Sequence, residues 1–505
     1  MGTVSTVTGS RGELRGLQFW MERVLKELGS VLSAPEADAV HDLRVAIRRC
    51  RSVAAVMEEV DPDPAWKDMR KLGRKLFRQL GQLRDTQVLE DWVKKLGAEA
   101  DPIRARLLTT FASKEKEQQA AAQKAVQKFD QKTWKKLERR LQRRSRLVPA
   151  DRSAAECLAL ERLEAAKSLH VRALRSEKPE AWHALRIGVK RFRYTVESQL
   201  PRRYEEWGDN LKQLQDLLGE VHDLDVLSRT ISEGAADLEQ GHTQWVERIT
   251  IERHQRIETY RRLAVGEGGL WQYWNRELPA GNRLQSAVLA RLQVTARALE
   301  LNSRRAWLVS RLAIRLFDAL TGVPASPTLA RGDLRKIMRA AARLHAIGSG
   351  LDGDSPQKAA RTFLQAMALP PGWTETEWEI MANVVRYHRG SLPQAKHKGF
   401  SRFTPEEQKI VSTLAGILRM ARILRKCGVQ SATGMEMEKS VDALILRVPG
   451  LVESEQNAAR LAAGKYLLEN SLERPVIVKA APLLPRVLQL HRRKDQPQVS
   501  AAASD

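Results

Sequence analysis

Cysteine is scarce in this chain of 505 residues: Cys50, Cys157 and Cys427 are the only three, and they lie far apart. Too few and too scattered for a disulfide framework or a zinc site, they point to a reducing compartment. Aromatic residues make up only 5% of the sequence. That leaves little material for the stacking platforms on which single-stranded nucleic acids are held. No stretch approaches the ~20 consecutive apolar residues of a membrane-spanning helix, and even Ala306–Phe317 is broken by Arg311 and Arg315. No apolar signal-peptide core follows the N-terminus. The expected setting is therefore soluble and cytoplasmic. Acidic residues are the minority charge, 61 against 85 Lys and Arg, for a formal net charge of +24. Such an excess does not bear on fold, but it anticipates a polyanionic partner or an anionic surface. Hydrophobic residues at 43% are enough to build cores.

From about residue 11 to 318 the apolar positions recur at three and four, with Ala, Leu, Glu, Lys, Arg and Gln between them, the pattern of helices. Breakers punctuate it at Asp61-Pro62-Asp63-Pro64, Asp101-Pro102, Pro149, Pro179, Pro201 and Pro279-Ala280-Gly281-Asn282. Ser33-Ala34-Pro35-Glu36 has the spacing of a capping box and predicts a helix running past Arg51. Pro179 suits a helix start just before His183. A change of composition over 319–328 predicts a linker, followed by a further domain over 329–485 and a tail over 486–505. Near the end, the alternation of Val441–Val448 and the run Pro475–Val478 predict two short strands.

The strongest internal signal is a repeat. His41-Asp42-Leu43-Arg44-Val45-Ala46-Ile47-Arg48-Arg49-Cys50-Arg51 reappears as His183-Ala184-Leu185-Arg186-Ile187-Gly188-Val189-Lys190-Arg191-Phe192-Arg193. A second element follows each copy: Leu80-Gly81-Gln82-Leu83-Arg84-Asp85 is answered by Leu218-Gly219-Glu220-Val221-His222-Asp223. Two elements in the same order, about 140 residues apart, imply two homologous helical halves, about 11–150 and 151–318. On a helix at ~100° per residue, His41, Arg44, Arg48 and Arg51 share an arc of roughly 80°, beside the apolar Leu43, Ile47 and Ala54. His183, Arg186, Lys190 and Arg193 reproduce that arc beside Leu185 and Val189, while Arg49 and Arg191 sit to one side.

Cations crowded on one stripe repel each other and gain little as isolated surface charges. Something negative is expected to face them, the alternative being a solvated face with local acidic partners. The two histidines read either as hydrogen-bond donors to an anion or as core residues. Arg74, Lys75 and Arg78 add charge ahead of Leu80, and Lys212 matches Arg74. Asp85 and Asp223 read as orienting groups for nearby arginines. Arg143, Arg144 and Arg146 have no counterpart in the other half and read as a solvated face.

These two ordered motifs, present twice over residues 11–318, resemble those of the CHAD family, the conserved histidine α-helical domain. The resemblance implies two pseudo-symmetric helical bundles around a basic groove or pore that binds inorganic polyphosphate. It carries that role onto His41, Arg44, Arg48, Arg49, Arg51, His183, Arg186, Lys190, Arg191 and Arg193, with Arg74 and Lys212 in support; Lys75 and Arg78 are added as binding residues on the charge they bring ahead of Leu80. Family members often follow a triphosphate-tunnel domain; no acidic strand set precedes the repeat in this sequence, so triphosphatase activity is not carried over.

The C-terminal third resembles the HD-like C-terminal domain of the exopolyphosphatase and guanosine-pentaphosphate phosphatase family. The carrying segments are Ala340–Gly348, Val384–Gly390 and Leu414–Ala421. An HD metal site needs a His-Asp pair and further His and Asp donors converging on a divalent ion. Here Ala346 follows His345 where the motif has Asp, Ser355–Ala360 supplies no histidine, and Arg422 stands where a late Asp belongs. Metal-dependent hydrolysis is therefore not expected, and no cofactor is. His345, Arg386, His388, Arg389 and Arg422 are left as a candidate second anion site, with a domain kept for packing or dimerisation as the other reading. The expected fold class is mainly α: two pseudo-symmetric helical bundles, then a helical HD-like domain with a few short strands.

Three functions are weighed. The first is non-enzymatic binding of polyphosphate, whose dense charge and lack of bases require only arginine and lysine arrays, in the cytoplasm and at polyphosphate granules. The second is RNA or DNA binding, which net charge does not separate from the first. The third is a polyphosphate or nucleotide phosphohydrolase, which would need clustered carboxylates for metal ions.

Overall fold

The computed structural model describes residues 16–33, 37–148, 151–176, 178–234, 239–299, 303–322, 332–351 and 354–482. The fold is mainly α, with one small three-stranded sheet near the C-terminal end. Backbone contacts divide the chain into two discontinuous compact units, Met1–Ser303 with Arg343–Ala382 and Arg304–Ala342 with Asn383–Asp505.

The first unit opens with α1 (Leu17–Ser33), α2 (Ala37–Met57), α3 (Pro64–Leu96), α4 (Pro102–Gln127) and α5 (Gln131–Ser145). A second set follows: α6 (Arg152–Leu174), α7 (Pro179–Gln199), α8 (Pro201–Gly234), α9 (Glu239–Ala264) and α10 (Leu270–Glu277), with α11 (Gly281–Leu299) packed on α6. The breakers start helices for a local reason. Asp63 accepts a hydrogen bond from the Ala65 amide at 2.9 Å with Pro64 in the first turn of α3, and Asp101 does the same for Ile103 at 2.9 Å ahead of Pro102. Pro179 and Pro201 open α7 and α8. The capping box over 33–36 and the break at Pro149 fall, in part or whole, outside the described residues.

Each set of helices has its own core. Leu43, Ile47, Trp66, Leu80 and Trp134 are fully buried in the first, and Leu185, Val189, Phe192, Trp207 and Trp274 in the second. The apolar flanks of the repeated motif are thus its anchors. A third cluster, including Trp92, Phe111, Leu224, Ile231 and Trp245, joins the C-terminal ends of α3 and α8, and α2 packs against α7. The two bundles therefore meet through the same pair of helices in each half.

The arginine run in α5 corrects the expectation of a solvated face. Arg143 and Arg146 are exposed, but Arg144 turns inward. Its Nε donates to Asp61 Oδ2 at 2.9 Å and its Nη2 to the Ala298 carbonyl at 3.1 Å. Asp61 is fully buried and also accepts from Trp66 Nε1 at 2.8 Å. One arginine thus ties α5 to the α2–α3 connection and to α11.

After the first eleven helices come α12 (Ser303–Thr321), α13 (Gly332–Leu344), α14 (Pro356–Ala366), α15 (Glu375–Tyr387), α16 (Pro405–Lys426) and α17 (Glu455–Leu472). α14 and the start of α15 belong to the first unit. In the second, β1 (Glu436–Lys439) pairs antiparallel with β2 (Leu444–Pro449), and β2 pairs parallel with β3 (Val476–Ala481) through the crossover helix α17. The two expected strands are β2 and β3, but β2 begins at Leu444 rather than Val441, which is 86% exposed. β1, of sequence Glu-Met-Glu-Lys, carries no apolar alternation; its charge is met across the ladder by Arg447, whose Nε lies 3.0 Å from Glu438. Of the expected linker, 319–321 are the end of α12 and 323–328 lie outside the described residues, as does the tail over 486–505. Among the described residues no helix is long and apolar enough to cross a membrane.

Candidate anion-binding site

The basic motif lies on α2 in one half and α7 in the other, and the Leu-Gly element on α3 and α8. The glycine of that element lies against an arginine of the basic motif. A Cβ on Gly81 would lie 3.4 Å from Arg44 Nη1, and one on Gly219 4.0 Å from Arg186 Nε. Each repeat leaves helix backbone bare where the first arginine of its basic motif lies, and Arg44 Nη1 donates to the Leu80 carbonyl there. The Phe77 ring completes the seat in the first half, with the guanidinium carbons of Arg44 and Arg51 at 5.6 and 4.7 Å from its centre. In the second half Arg193 Nη2 donates to the Tyr204 hydroxyl at 3.2 Å.

The charges of the two halves act on one another. Burial pushes Lys190 down to about 8, helped by Arg186 beside it and by Arg48 from the other half, and opposed by Asp223 and Asp85. Burial raises Asp85, while Arg44 of its own half and Arg186 and Lys190 of the other pull it back. Asp85 keeps solvent contact although protein crowds it on most sides. Asp223 is pushed up to about 6, first by burial and then by Asp85, against Arg186 and Lys190. Arg44 and Arg48 of one half and Arg186 and Lys190 of the other therefore lie close enough to act on one another and on Asp85 and Asp223. The Nε atoms of Arg51, Arg186 and Arg193 are buried without a protein hydrogen-bond partner, a state that costs about 1–3 kcal/mol per group unless water or an anion relieves it.

Other expected members are placed differently. Arg49 pairs with Glu197 of α7 and lies over the Trp20 ring at 5.6 Å, so it ties the two halves together instead of joining the open stripe. Arg74, Arg78, Arg191 and Lys212 are exposed, and Arg74 adds its charge to the forces that lower Arg51. Lys75 faces away, into a groove of about 530 Å³ between α3 and α4 that it lines with Lys71, Lys124 and Lys128. The two histidines differ. His183 is half-buried, its Nδ1 3.2 Å from His222 Nδ1, and burial holds His222 down to about 4 and His183 below its ordinary value. His41 is exposed at the edge of a cavity of about 240 Å³ that Arg44 and Arg84 also line. Arg84, His222, Phe77 and Glu197 were not singled out from sequence; Arg84 and His222 occupy matching positions of the repeated element, which was the available signal.

Of the proposed second site, His345 falls in the first unit and Arg386, His388, Arg389 and Arg422 in the second. His345 and His388 are buried, and His388 Nδ1 lies 2.6 Å from the Val385 carbonyl, the contact of a core histidine. Arg386 lies over the Tyr387 ring at 5.2 Å. Arg422 is pushed down to about 10 by burial and by Arg389, Arg425 and Arg419. Neighbouring Arg419 closes the turn after α15, donating to the carbonyls of Tyr387, Gly390 and Ser391 at 2.7–2.9 Å. Among the described residues no three His, Cys, Asp or Glu side chains are grouped so as to hold a metal ion.

This arrangement of twin bundles, whose basic motifs act on one another, is accompanied by a family match. The model of the CHAD domain matches residues 16–232, and that of the Ppx/GppA phosphatase, domain III, matches residues 290–470. The chain thus carries a CHAD domain followed by a Ppx/GppA-like domain III. Comparison with curated proteins gave no match.

Proposed function

We propose that the cleft between the two bundles binds inorganic polyphosphate without hydrolysing it. One observation carries the reading: Lys190 is held down to about 8 by burial and then by Arg186 and Arg48, one cation from each half, against Asp223 and Asp85. Desolvated like charges raise the free energy of the empty cleft, and a multivalent anion lowers it. The arginines supply paired, planar donors and Lys190 a mobile point charge, which suits a chain of phosphates. Against a nucleic acid, Phe77 is covered by two guanidinium groups instead of offering a face to a base. Hydrolysis through metal ions would need convergent carboxylates, and the two in the cleft are set among cations. The fitting cellular place is the cytoplasm, at polyphosphate granules.

The test is a titration of labelled polyphosphate against mixed-sequence RNA at two salt concentrations, with Mg²⁺ or Mn²⁺ present. Polyphosphate is expected to win at matched charge, to bind more weakly at high salt and to release no phosphate. Preference for RNA would favour the nucleic-acid reading, and chelator-sensitive phosphate release would make the protein a hydrolase.

Binding is also expected to depend on pH. An anion beside Lys190 favours its protonated form, so a Lys190 that is half-charged near pH 8 in the empty cleft becomes fully charged when the cleft is occupied. A proton is then taken up on binding, and affinity falls by up to about tenfold between pH 7 and 9. Asp223 acts in the same sense, since it loses its negative charge as pH falls through about 6. Lys190→Arg should flatten the alkaline limb, because a guanidinium stays charged there. Calorimetry in two buffers of different ionisation heat reads the proton directly, and no uptake near pH 8 would contradict the argument.

A further inference from the structure

We propose that the first bundle holds a nucleoside-binding pocket at the end of the basic stripe, so that the small-molecule ligand of this cleft is a nucleoside oligophosphate. The argument comes from a difference between the two halves. At matching positions of the repeat stand Arg84 and His222. In the second half the His222 and His183 rings pack against each other, their centres 4.5 Å apart and their planes tilted by 40°. In the first half His41 and Arg84 instead border an open cavity of about 240 Å³. The matching position makes a ring–ring contact in one half and borders a cavity in the other.

The lining describes the occupant. Val31, Val40 and Leu83 give an apolar wall, and Gln87, Gln119 and Glu115 a polar one. Glu115 accepts from Gln87 Nε2 at 2.9 Å and keeps a second oxygen. A bare phosphate gains nothing from the apolar wall and is repelled by Glu115. A ring system with N–H and C=O edges, attached to a sugar with hydroxyls, uses both. The volume of about 240 Å³ falls just short of the ~300–1,000 Å³ usual for small-molecule pockets, so it has room for at most one nucleoside and none for an oligonucleotide. Arg44 lines this cavity and also bears on Asp85 and Arg48 in the cleft, so a phosphate tail leaving the pocket enters the basic stripe. That last step rests on the phosphate-binding reading of the cleft; the pocket itself does not.

The experiment compares ATP and GTP with inorganic tripolyphosphate by calorimetry on the full chain, with long-chain polyphosphate as a fourth ligand. At least one nucleotide is expected to bind ten times more tightly than tripolyphosphate. Gln119→Trp, at an exposed position on the rim, and separately Ala122→Phe, in the wall, should each remove that preference and leave long-chain polyphosphate binding within twofold. Circular dichroism confirms that each variant is folded. Equal affinities for nucleotide and tripolyphosphate, or a preference that survives both substitutions, would overturn the proposal. If nucleotides are preferred but long-chain polyphosphate does not bind, the pocket stands and the polyphosphate reading fails; polyphosphate binding without nucleotide preference gives the reverse.

Discussion

Replacing Arg44, Arg48, Arg186 and Lys190 together by alanine should weaken polyphosphate binding by more than about 100-fold. A hydrogen bond to a charged group contributes about 1.5–3 kcal/mol, and four cations on one polyanion exceed the ~2.7 kcal/mol that a 100-fold change requires even if their effects are far from additive. The salt dependence should flatten as well, since each lost phosphate contact removes roughly 0.7–0.9 from the slope in nucleic acids of similar charge density. Helix content should not change. α2 and α7 are held by Leu43, Ile47, Leu185 and Val189, all fully buried, and Asp85 keeps its solvent contact when the cations are gone. Fluorescence anisotropy with labelled polyphosphate, beside far-ultraviolet circular dichroism, makes the comparison. Unchanged affinity in a folded variant would reduce the stripe to a solvated surface.

Arg144→Ala should have the largest effect on stability, about 3 kcal/mol or more in the unfolding of the first unit. Asp61 has no solvent exposure, and the substitution leaves its carboxylate with only the Trp66 indole N–H and the Asp63 amide, at 2.8 and 3.2 Å. Breaking a buried ion pair from one side typically costs about 3–5 kcal/mol because a charge stays behind uncompensated. Adding Asp61→Asn should recover part of the loss, since no buried charge then remains. Urea denaturation followed by tryptophan fluorescence reads both variants; a loss under about 1 kcal/mol would contradict this account of the α5 anchor. Polyphosphate affinity of the folded Arg144→Ala protein should stay close to that of the parent, because Arg144 points toward Ala298 and not into the cleft.

What could be read from the sequence was what local periodicity and repetition encode. The repeat placed Arg44 beside Arg48 and Arg186 beside Lys190 on one arc, and the apolar flanks Leu43, Ile47, Leu185 and Val189 proved to be core. The Asp-Pro pairs at 63–64 and 101–102 opened α3 and α4 because an aspartate cap and a proline in the first turn act within three residues. Long-range partners were not legible. Nothing near Arg49 announces Glu197, 148 positions away in the sequence, and nothing near Arg144 announces Asp61. That Gly81 and Gly219 lie against Arg44 and Arg186 appears only in the folded chain. β1 escaped notice because a short strand with charged residues on both faces has no period to detect. Nor does a reading in chain order find a compact unit that returns to take up 343–382.

The central claim is that two ridges, one from each bundle, hold a single ligand. It is tested most directly by the stoichiometry of a medium-length polyphosphate on the parent chain, on Arg44→Ala with Arg48→Ala, and on Arg186→Ala with Lys190→Ala. One ligand per chain is expected in all three, with affinity reduced by either pair of substitutions. Two ligands on the parent, falling to one of unchanged affinity in each variant, would mean that the halves bind independently and that there is no shared cleft.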